Sequence, residues 1–374
     1  MSLEKKNIAI VGAGNGGLIV ALHLLREHHN TDVEIEIYYD PSIPIEKVGQ
    51  GSLPNFTGIV SEVLDIDWYN NPIDATIKSG ILYEGWGQKK DKFFHAFPMD
   101  FVATHYSPYK LREYMIEKNI CKFIEQNVED CNDIDADYVF DCRGTPKDLS
   151  QYNTIKNPLN SVILGQKNEV DHNQQWTRAV ATLDGWTFVI PNKNYTSYGY
   201  LYNNKITSDY DARKSMHLAF GVLPDTTVNF DNYVAKEPIQ NDKVILNGNR
   251  LLFIEPLEAS AVECYLRWTT LVSQWIFDGR SKSSILEQFS KDIFEHQNFI
   301  LWHYANGSKY NTDFWQHAMD MSRNHVYDDR FFEYIEVAQS KSRIQLIDET
   351  EEVTYGQWHN TTFKNWIDNV FPTA

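Results

Sequence analysis

The stretch "NIAIVGAGNGGLIVALHLL" (residues 7–25) constrains the fold more than any other part of the chain. A short apolar run ends in G-x-G-x-x-G and passes directly into helical spacing, with Leu18, Ala21, Leu22 and Leu25 on one face. Gly12 permits the tight turn, Gly14 lets the backbone approach a pyrophosphate, and Gly17 lets helix and strand pack closely. Ala13 completes the loop, and the helix N-terminus faces the negative charge. "VEIEIYYD" then alternates as a strand should. The pattern predicts an α/β chain with a Rossmann-type dinucleotide-binding domain. A carboxylate should follow the second strand and hold a ribose hydroxyl. Asp40 is the candidate, with Tyr39 competing for the slot.

The glycine motif does not choose between FAD and NAD. Two later strand–glycine turns bear on the choice: "DYVFDCRG" (137–144) and "LNGNRLLFIEP" (246–256), the second carrying Gly248. An extended FAD needs such elements to close over its ribityl chain and ring. The other reading is two ordinary strand ends.

Charge narrows the partners. Lys and Arg total 34 against 51 Asp and Glu, a formal net charge of −17. Such a chain repels phosphate backbones and anionic membrane surfaces, so neither nucleic acid nor membrane is an expected partner. Aromatic residues reach 14%, which suits a pocket for a flat ligand. The four cysteines, Cys121, Cys131, Cys142 and Cys264, form no CxxC pair and are too few for a disulfide framework. No metal site is expected. The start runs directly into a strand, without a signal peptide, and no apolar run reaches membrane-spanning length. A soluble cytoplasmic protein is expected. The Asn- and Tyr-rich composition suits a phage or marine bacterial source, in which case the location is the host cytoplasm.

The Pro- and Gly-rich stretch "DPSIPIEKVGQGSLPN" (40–55) reads as a wrapping loop. Residues 109–126 read as a helix, 160–235 mostly as short strands, and the chain beyond about 265 is dominated by helical spacing. No linker is visible, so the substrate region should overlie the nucleotide region within one unit, 1–374. The cofactor parts are expected at about 1–60, 100–150 and 240–275. Substrate parts are expected at about 61–99 and 150–240, and the helical part at about 265–374. Within the strand region, "GWTFVIP" (185–191) alternates aromatic and small residues and ends at a proline. On residues alone it is either core or a wall between two chemistries.

Taken in order, these segments resemble the flavin-dependent halogenases of the tryptophan-halogenase type. "GAGNGG" matches the family's nucleotide loop, and the 40–55 loop resembles the one that covers the flavin, through Val48, Gly49 and Gln50. "DATIKSGILYEGWG" (74–87) is similar to the segment bearing the family's catalytic lysine, here Lys78. "GWTFVIP" resembles the Trp-x-Trp-x-Ile-Pro signature. "FIEPLEASA" (253–261) resembles the Glu-Pro-Leu-Glu-Ser-Thr-Gly turn, and "HYANGSKYNTDFW" (303–315) a His-Tyr…Asp-x-Phe-Trp segment. The resemblance covers about residues 7–315. Gln50, Phe188, Ala259, Ser260 and Ala261 depart from the usual Glu, Trp, Ser, Thr and Gly.

The resemblance implies that reduced FAD, oxygen and halide yield hypohalous acid by way of a flavin C4a-hydroperoxide. It implies Lys78 as the relay, Glu258 as its partner, Leu257 and Gly248 against the flavin, and Ser260 and Ala261 around the halide. Trp186, Phe188 and Pro191 then form a partition that keeps a small electron-rich aromatic substrate from the flavin. A separate NAD(P)H-dependent reductase would supply FADH2, and the chain is compatible with a homo-oligomer. Without the resemblance, Lys78 reads as a surface lysine, Glu258 as an exposed charge and Ser260 as a helix cap. Two other functions stay open: a flavin monooxygenase that passes oxygen directly to substrate, and a flavin-binding protein without catalysis. A chain that stops soon after Trp315 is also expected to leave the substrate mouth open.

Overall fold

In the computed structural model, residues 5–28, 33–45, 48–66, 71–97, 101–348, 354–356 and 358–371 are described. Glu46 and Lys47 of the wrapping loop lie outside them. The predicted βαβ start is present: strand Lys6–Val11, helix Asn15–Glu27, strand Val33–Tyr39. These strands sit in a six-stranded sheet with Lys122–Glu125, Tyr138–Asp141, Val244–Leu246 and Ile239–Gln240. All neighbours are parallel except the last pair. The central strands 6–11 and 138–141 are covered on both faces and read as apolar runs, while strand 33–39 alternates. Helix 15–27 buries Leu18, Val20, Ala21, Leu22 and Leu24 in the first core, and helix Ser260–Phe277 packs against it.

A seven-stranded sheet overlies this unit. Its order is Thr226–Asn229, Ser161–Lys167, Thr196–Tyr202, Gly185–Pro191, Thr177–Thr182, Gly80–Glu84, Lys92–Ala96. Only the pair 177–182 and 80–84 is parallel. "GWTFVIP" lies at its centre, and all seven residues are buried. Between this sheet and the C-terminal helices lies a second core, which contains Trp86, Trp186, Tyr304, Trp315 and Trp366. A small three-stranded sheet joins the two units: Ala103–Tyr106 pairs with Gln50–Gly51 on one edge and with Thr76–Lys78 on the other. One strand therefore fixes the wrapping loop relative to Lys78.

One sequence reading is corrected. The helix expected at 109–126 is Pro108–Glu117, followed by strand 122–125. Asn119 adopts φ 51°, a left-handed turn that stops the helix, and "KFIE" then pairs with Glu36–Tyr39. The region 160–235 also holds a helix, Asp209–Phe220. Ser208 caps it and Gly221 ends it at φ 61°, but only Ala212 and Met216 are buried, so its apolar stripe is narrow. The four cysteines are buried and unpaired.

Candidate active site

At the nucleotide end, the three glycines do different work. Gly12 sits at φ +113°, and a Cβ there would meet the Cys142 carbonyl oxygen at 2.5 Å. A Cβ on Gly17 would meet the Gly12 carbonyl oxygen at 1.9 Å. Both are required by the chain's own packing. Gly14 meets nothing within 4 Å, and it caps helix 15–27 without a side-chain hydrogen bond. The first N–H groups of that helix thus face an open approach, the arrangement an anion needs. A fourth glycine was missed by the motif reading. A Cβ on Gly16 would fall 2.7 Å from the Gly248 Cα, so the two turns touch backbone to backbone. Gly248 itself has φ +59°.

Asp40 follows strand 33–39, and its Oδ1 accepts from the Ser42 hydroxyl (2.6 Å) and Ser42 N–H (2.8 Å). These bonds hold its carboxyl below the ordinary range. The Tyr39 hydroxyl is turned to Glu125 (3.1 Å), which leaves Asp40 as the ribose candidate. Leu257 is buried in the second core, to which Trp186 and Phe188 also belong. An open groove of about 340 Å³ over residues 126–135 shares no residue with the cluster described next.

Lys78 is not a surface lysine: it is 1% exposed. Its Nζ donates to the Ser52 carbonyl at 2.9 Å and lies 5.3 Å from the centre of the Phe97 ring. Burial lowers its pKa to about 8, against the pull of the Glu258 charge. No ion pair within 4 Å forms at Lys78 among the described residues. Beside it, His105 is bracketed by Thr76 (3.1 Å) and Thr177 (2.8 Å). Burial and then the Lys78 charge push its pKa well below the ordinary value, so it stays neutral.

Glu258 is not exposed either, at 5%. It sits in a kink, Leu257–Ala259, in which Glu258 (φ 62°) and Ala259 (φ 56°) are both left-handed. Each such non-glycine residue costs roughly 1–2 kcal/mol. The kink lies on the seam between the cores, with Leu257 in the second and Val262 in the first. Tyr83 donates its hydroxyl to Glu258 Oε1. His303 Nε2 lies 3.5 Å from the same oxygen. His303 Nδ1 is 2.8 Å from the Phe299 carbonyl, which can only accept, so Nδ1 carries a proton. Burial alone would raise the Glu258 carboxyl, but His303, His95 and Tyr83 outweigh it and bring it down to about 2.

Helix 260–277 begins at Ser260, immediately after the kink. Ser260 is fully buried, and its hydroxyl donates to the Glu255 carbonyl (3.0 Å), so it is not a side-chain cap. Ala261 occupies the first turn, half-buried. The partition strand is tied to this turn. Trp186 Nε1 donates to Glu255 Oε2 at 3.0 Å, and Tyr304 (2.8 Å) and Asn157 (2.8 Å) complete that carboxylate's shell. Burial raises the Glu255 carboxyl against these three donors. The Phe188 ring covers Gly199, where a Cβ would lie 2.1 Å from ring carbon. The Pro191 carbonyl accepts from Thr76 Oγ1 at 2.5 Å. Strand 185–191 therefore spans from the Glu255 turn to the strand that bears Lys78.

Against this geometry stand the comparisons. The model of the tryptophan halogenase family matches residues 7–131 and 119–364. The chain belongs to the tryptophan halogenase family. The match runs past residue 315, so it takes in the C-terminal helices that the motif reading left out. The halogenase is similar to the tryptophan 7-halogenase KtzQ of Kutzneria sp. (strain 744), 19% identical over 97% of this chain and 87% of that protein. It is also similar to the tryptophan 7-halogenase RebH of Lentzea aerocolonigenes, 22% identical over 84% and 79%. Among solved structures, MibH, a lathipeptide tryptophan 5-halogenase, superposes with a TM-score of 0.82 at 16% identity, covering 99% of this chain and 87% of that one. The VirX1 apo structure gives 0.72 at 18%, covering 98% and 91%. This chain is thus an enzyme of the flavin-dependent halogenase type, acting on aromatic substrate. Among the described residues, no helix is long and apolar enough to cross a membrane.

Tyr83, His95, His303, Glu255, Tyr304 and Gly199 were absent from the residue-based site. Tyr83 and His303 lie inside stretches that the resemblance quotes, but nothing local marks a Tyr 175 positions from its carboxylate partner.

The residues after Trp315 add to the second core. Helix Asn360–Val370 folds back, and Trp366, 1% exposed, packs 4.7 Å from the Tyr83 ring and 4.3 Å from the His303 ring.

Proposed function

We propose that this enzyme uses FADH2, delivered by a separate NAD(P)H-dependent reductase, to halogenate a small electron-rich aromatic substrate. The residues fit a flavin dinucleotide. The Gly14 approach is open, the Gly16–Gly248 contact brings two turns against one ligand, and a buried amide lies unpaired under Gly49. Gly12, Ala13, Gly14 and Gly17 would hold the pyrophosphate and Asp40 the ribose. Val48, Gly49 and Gln50 would cover the ring, with Gly248 and the Leu257 backbone alongside. Ser260 and Ala261 would border the halide. When bound, the reduced flavin supplies hypohalous acid from oxygen and halide. The other steps belong to the chain.

One observation carries the reading: a buried ammonium and a buried carboxylate sit on two segments tied to opposite ends of one buried strand, through Thr76 to Pro191 and through Glu255 to Trp186. Lys78 donates a proton to the oxygen of hypohalous acid and makes its halogen electrophilic. Glu258, ionised, takes the proton that the ring releases on substitution and passes it towards His303. The halogen goes from oxygen to carbon, and water leaves. Trp186 and Phe188 keep the aromatic substrate on the far side, which excludes direct attack on the cofactor. The test is product analysis with reduced FAD, oxygen and a panel of phenols and indoles, with and without chloride, bromide or iodide. Halogenated product only with halide is expected, with bromide and iodide competing well against chloride because they give up electrons more readily. Hydroxylated product without halide would support the monooxygenase reading, and no turnover the non-catalytic one.

Two further outcomes follow. Glu258→Gln should lower product formation roughly 10²-fold, because the proton acceptor is gone, and leave flavin oxidation within about twofold. Single-turnover kinetics separate the two. Trp366→Ala should raise kcat/KM for a bicyclic indole over that for a phenol by roughly tenfold, since a buried ring beside Tyr83 and His303 is replaced by space. An unchanged ratio would take Trp366 out of the substrate wall.

A further inference from the structure

Directly after the partition strand comes Asn192, fully buried. Neither its Oδ1 nor its Nδ2 has a hydrogen-bond partner among the described residues. An amide carries two donors and an acceptor with two lone pairs, and leaving such a group dry and unpaired costs roughly 1–3 kcal/mol. Its own backbone is satisfied, N–H to the Tyr195 carbonyl at 2.8 Å. Its position is fixed by a neighbour without a side chain. A Cβ on Gly49 would lie 1.9 Å from Asn192 Oδ1, so the amide rests against the Gly49 backbone. Gly49 N–H donates to Ser197 Oγ at 3.0 Å, which ties the same stretch to the next strand of the large sheet. Thr76, two residues before Lys78, bonds the carbonyl of Pro191, the residue before Asn192. The unpaired amide thus lies where the flavin-covering loop, the lysine strand and the partition strand meet.

An apolar residue of the same size would serve packing better. A primary amide suits a partner that offers adjacent N–H and C=O groups, and a cyclic imide edge is such a partner. The isoalloxazine ring has one. We propose that Asn192 is a positioning residue that hydrogen-bonds the flavin ring beneath the covering loop, and that Gly49 is glycine so that the amide can reach it. The proposal rests on the flavin reading above.

The test compares the whole protein with Asn192→Leu in three measurements: thermal midpoint without ligand, FAD affinity by fluorescence quenching, and the visible spectrum of FAD at saturation. Asn192→Leu should raise the ligand-free midpoint, because the unpaired amide is removed. It should weaken FAD about tenfold and shift the bound flavin's absorption band. Gly49→Ala should weaken FAD similarly by displacing the amide. A structural role predicts the opposite sign, a lower ligand-free midpoint, and that result would overturn the proposal. Unchanged FAD affinity and spectrum in Asn192→Leu would overturn it too, while wild-type FAD binding keeps the flavin reading standing. No FAD binding by the wild type would overturn both.

Discussion

Lys78→Met is expected to abolish halogenated product, by at least 10²-fold, while flavin oxidation stays within about twofold and the protein becomes more stable. The two halves have one cause. Lys78 is buried with its charge, and the drop of its pKa from 10.5 to about 8 corresponds to roughly 3 kcal/mol of disfavoured ammonium. Methionine has similar bulk and no charge. The substitution leaves the Ser52 carbonyl without its donor, which takes back about 1–2 kcal/mol. The net gain should raise the thermal midpoint by about 1–3 °C. The pH dependence fixes the sign. The folded state holds the lysine proton less tightly than the unfolded chain, so the penalty is complete below about pH 8 and fades as pH rises towards 10.5. The stability difference between variant and wild type should shrink across that window. Wild-type product formation should fall through the same lower edge, near pH 8, as the ammonium is lost. Melting curves and rate profiles from pH 6 to 10 check both. Equal midpoints at every pH would mean that the lysine is not buried as a charge.

Gly14→Val is expected to abolish FAD binding without unfolding the protein. A Cβ at this position meets no protein atom within 4 Å, and its backbone, φ −81° and ψ −177°, is open to any residue. The valine side chain would instead occupy the approach to the first N–H groups of helix 15–27, where the pyrophosphate is proposed to sit. Gly12 and Gly17 make poor probes, since side chains there collide with the protein's own carbonyl oxygens. Titration of FAD by fluorescence, with circular dichroism as the fold control, measures the effect. Unchanged affinity in a folded variant would exclude this loop as the cofactor site.

The contrast among these glycines shows what the sequence could reveal. The motif identified the turn, because its spacing between strand and helix is local. It did not reveal Gly16 against Gly248, a contact across 232 positions that only the closed fold creates. Lys78, Glu258 and Ser260 were picked out through ordered short motifs, but their burial was not legible. A lysine after "DATI" looks solvated until the small sheet places it behind Ser52. The groups around Glu258 come from residues 83, 95 and 303, on three elements that share no sequence neighbourhood. The C-terminal helix is a related case. Nothing in its sequence announced that Trp366 and Phe363 would face the second core. "GWTFVIP" is a fully buried central strand, as the core reading has it, and hydrogen bonds tie it to the Glu255 turn and to the strand of Lys78.

Hypohalous acid that travels inside the protein must be out of reach of solvent. The most direct measurement adds a fast, bulk-phase scavenger of hypohalous acid, in large excess, to wild-type enzyme turning over with reduced FAD, oxygen, bromide and substrate. The proposed relay through the buried Lys78 predicts that product yield is unchanged within about twofold, and that Lys78→Met sends its oxidising equivalents to the scavenger. Loss of product from the wild type in proportion to scavenger would contradict the account, for the halogenation would then take place in solution.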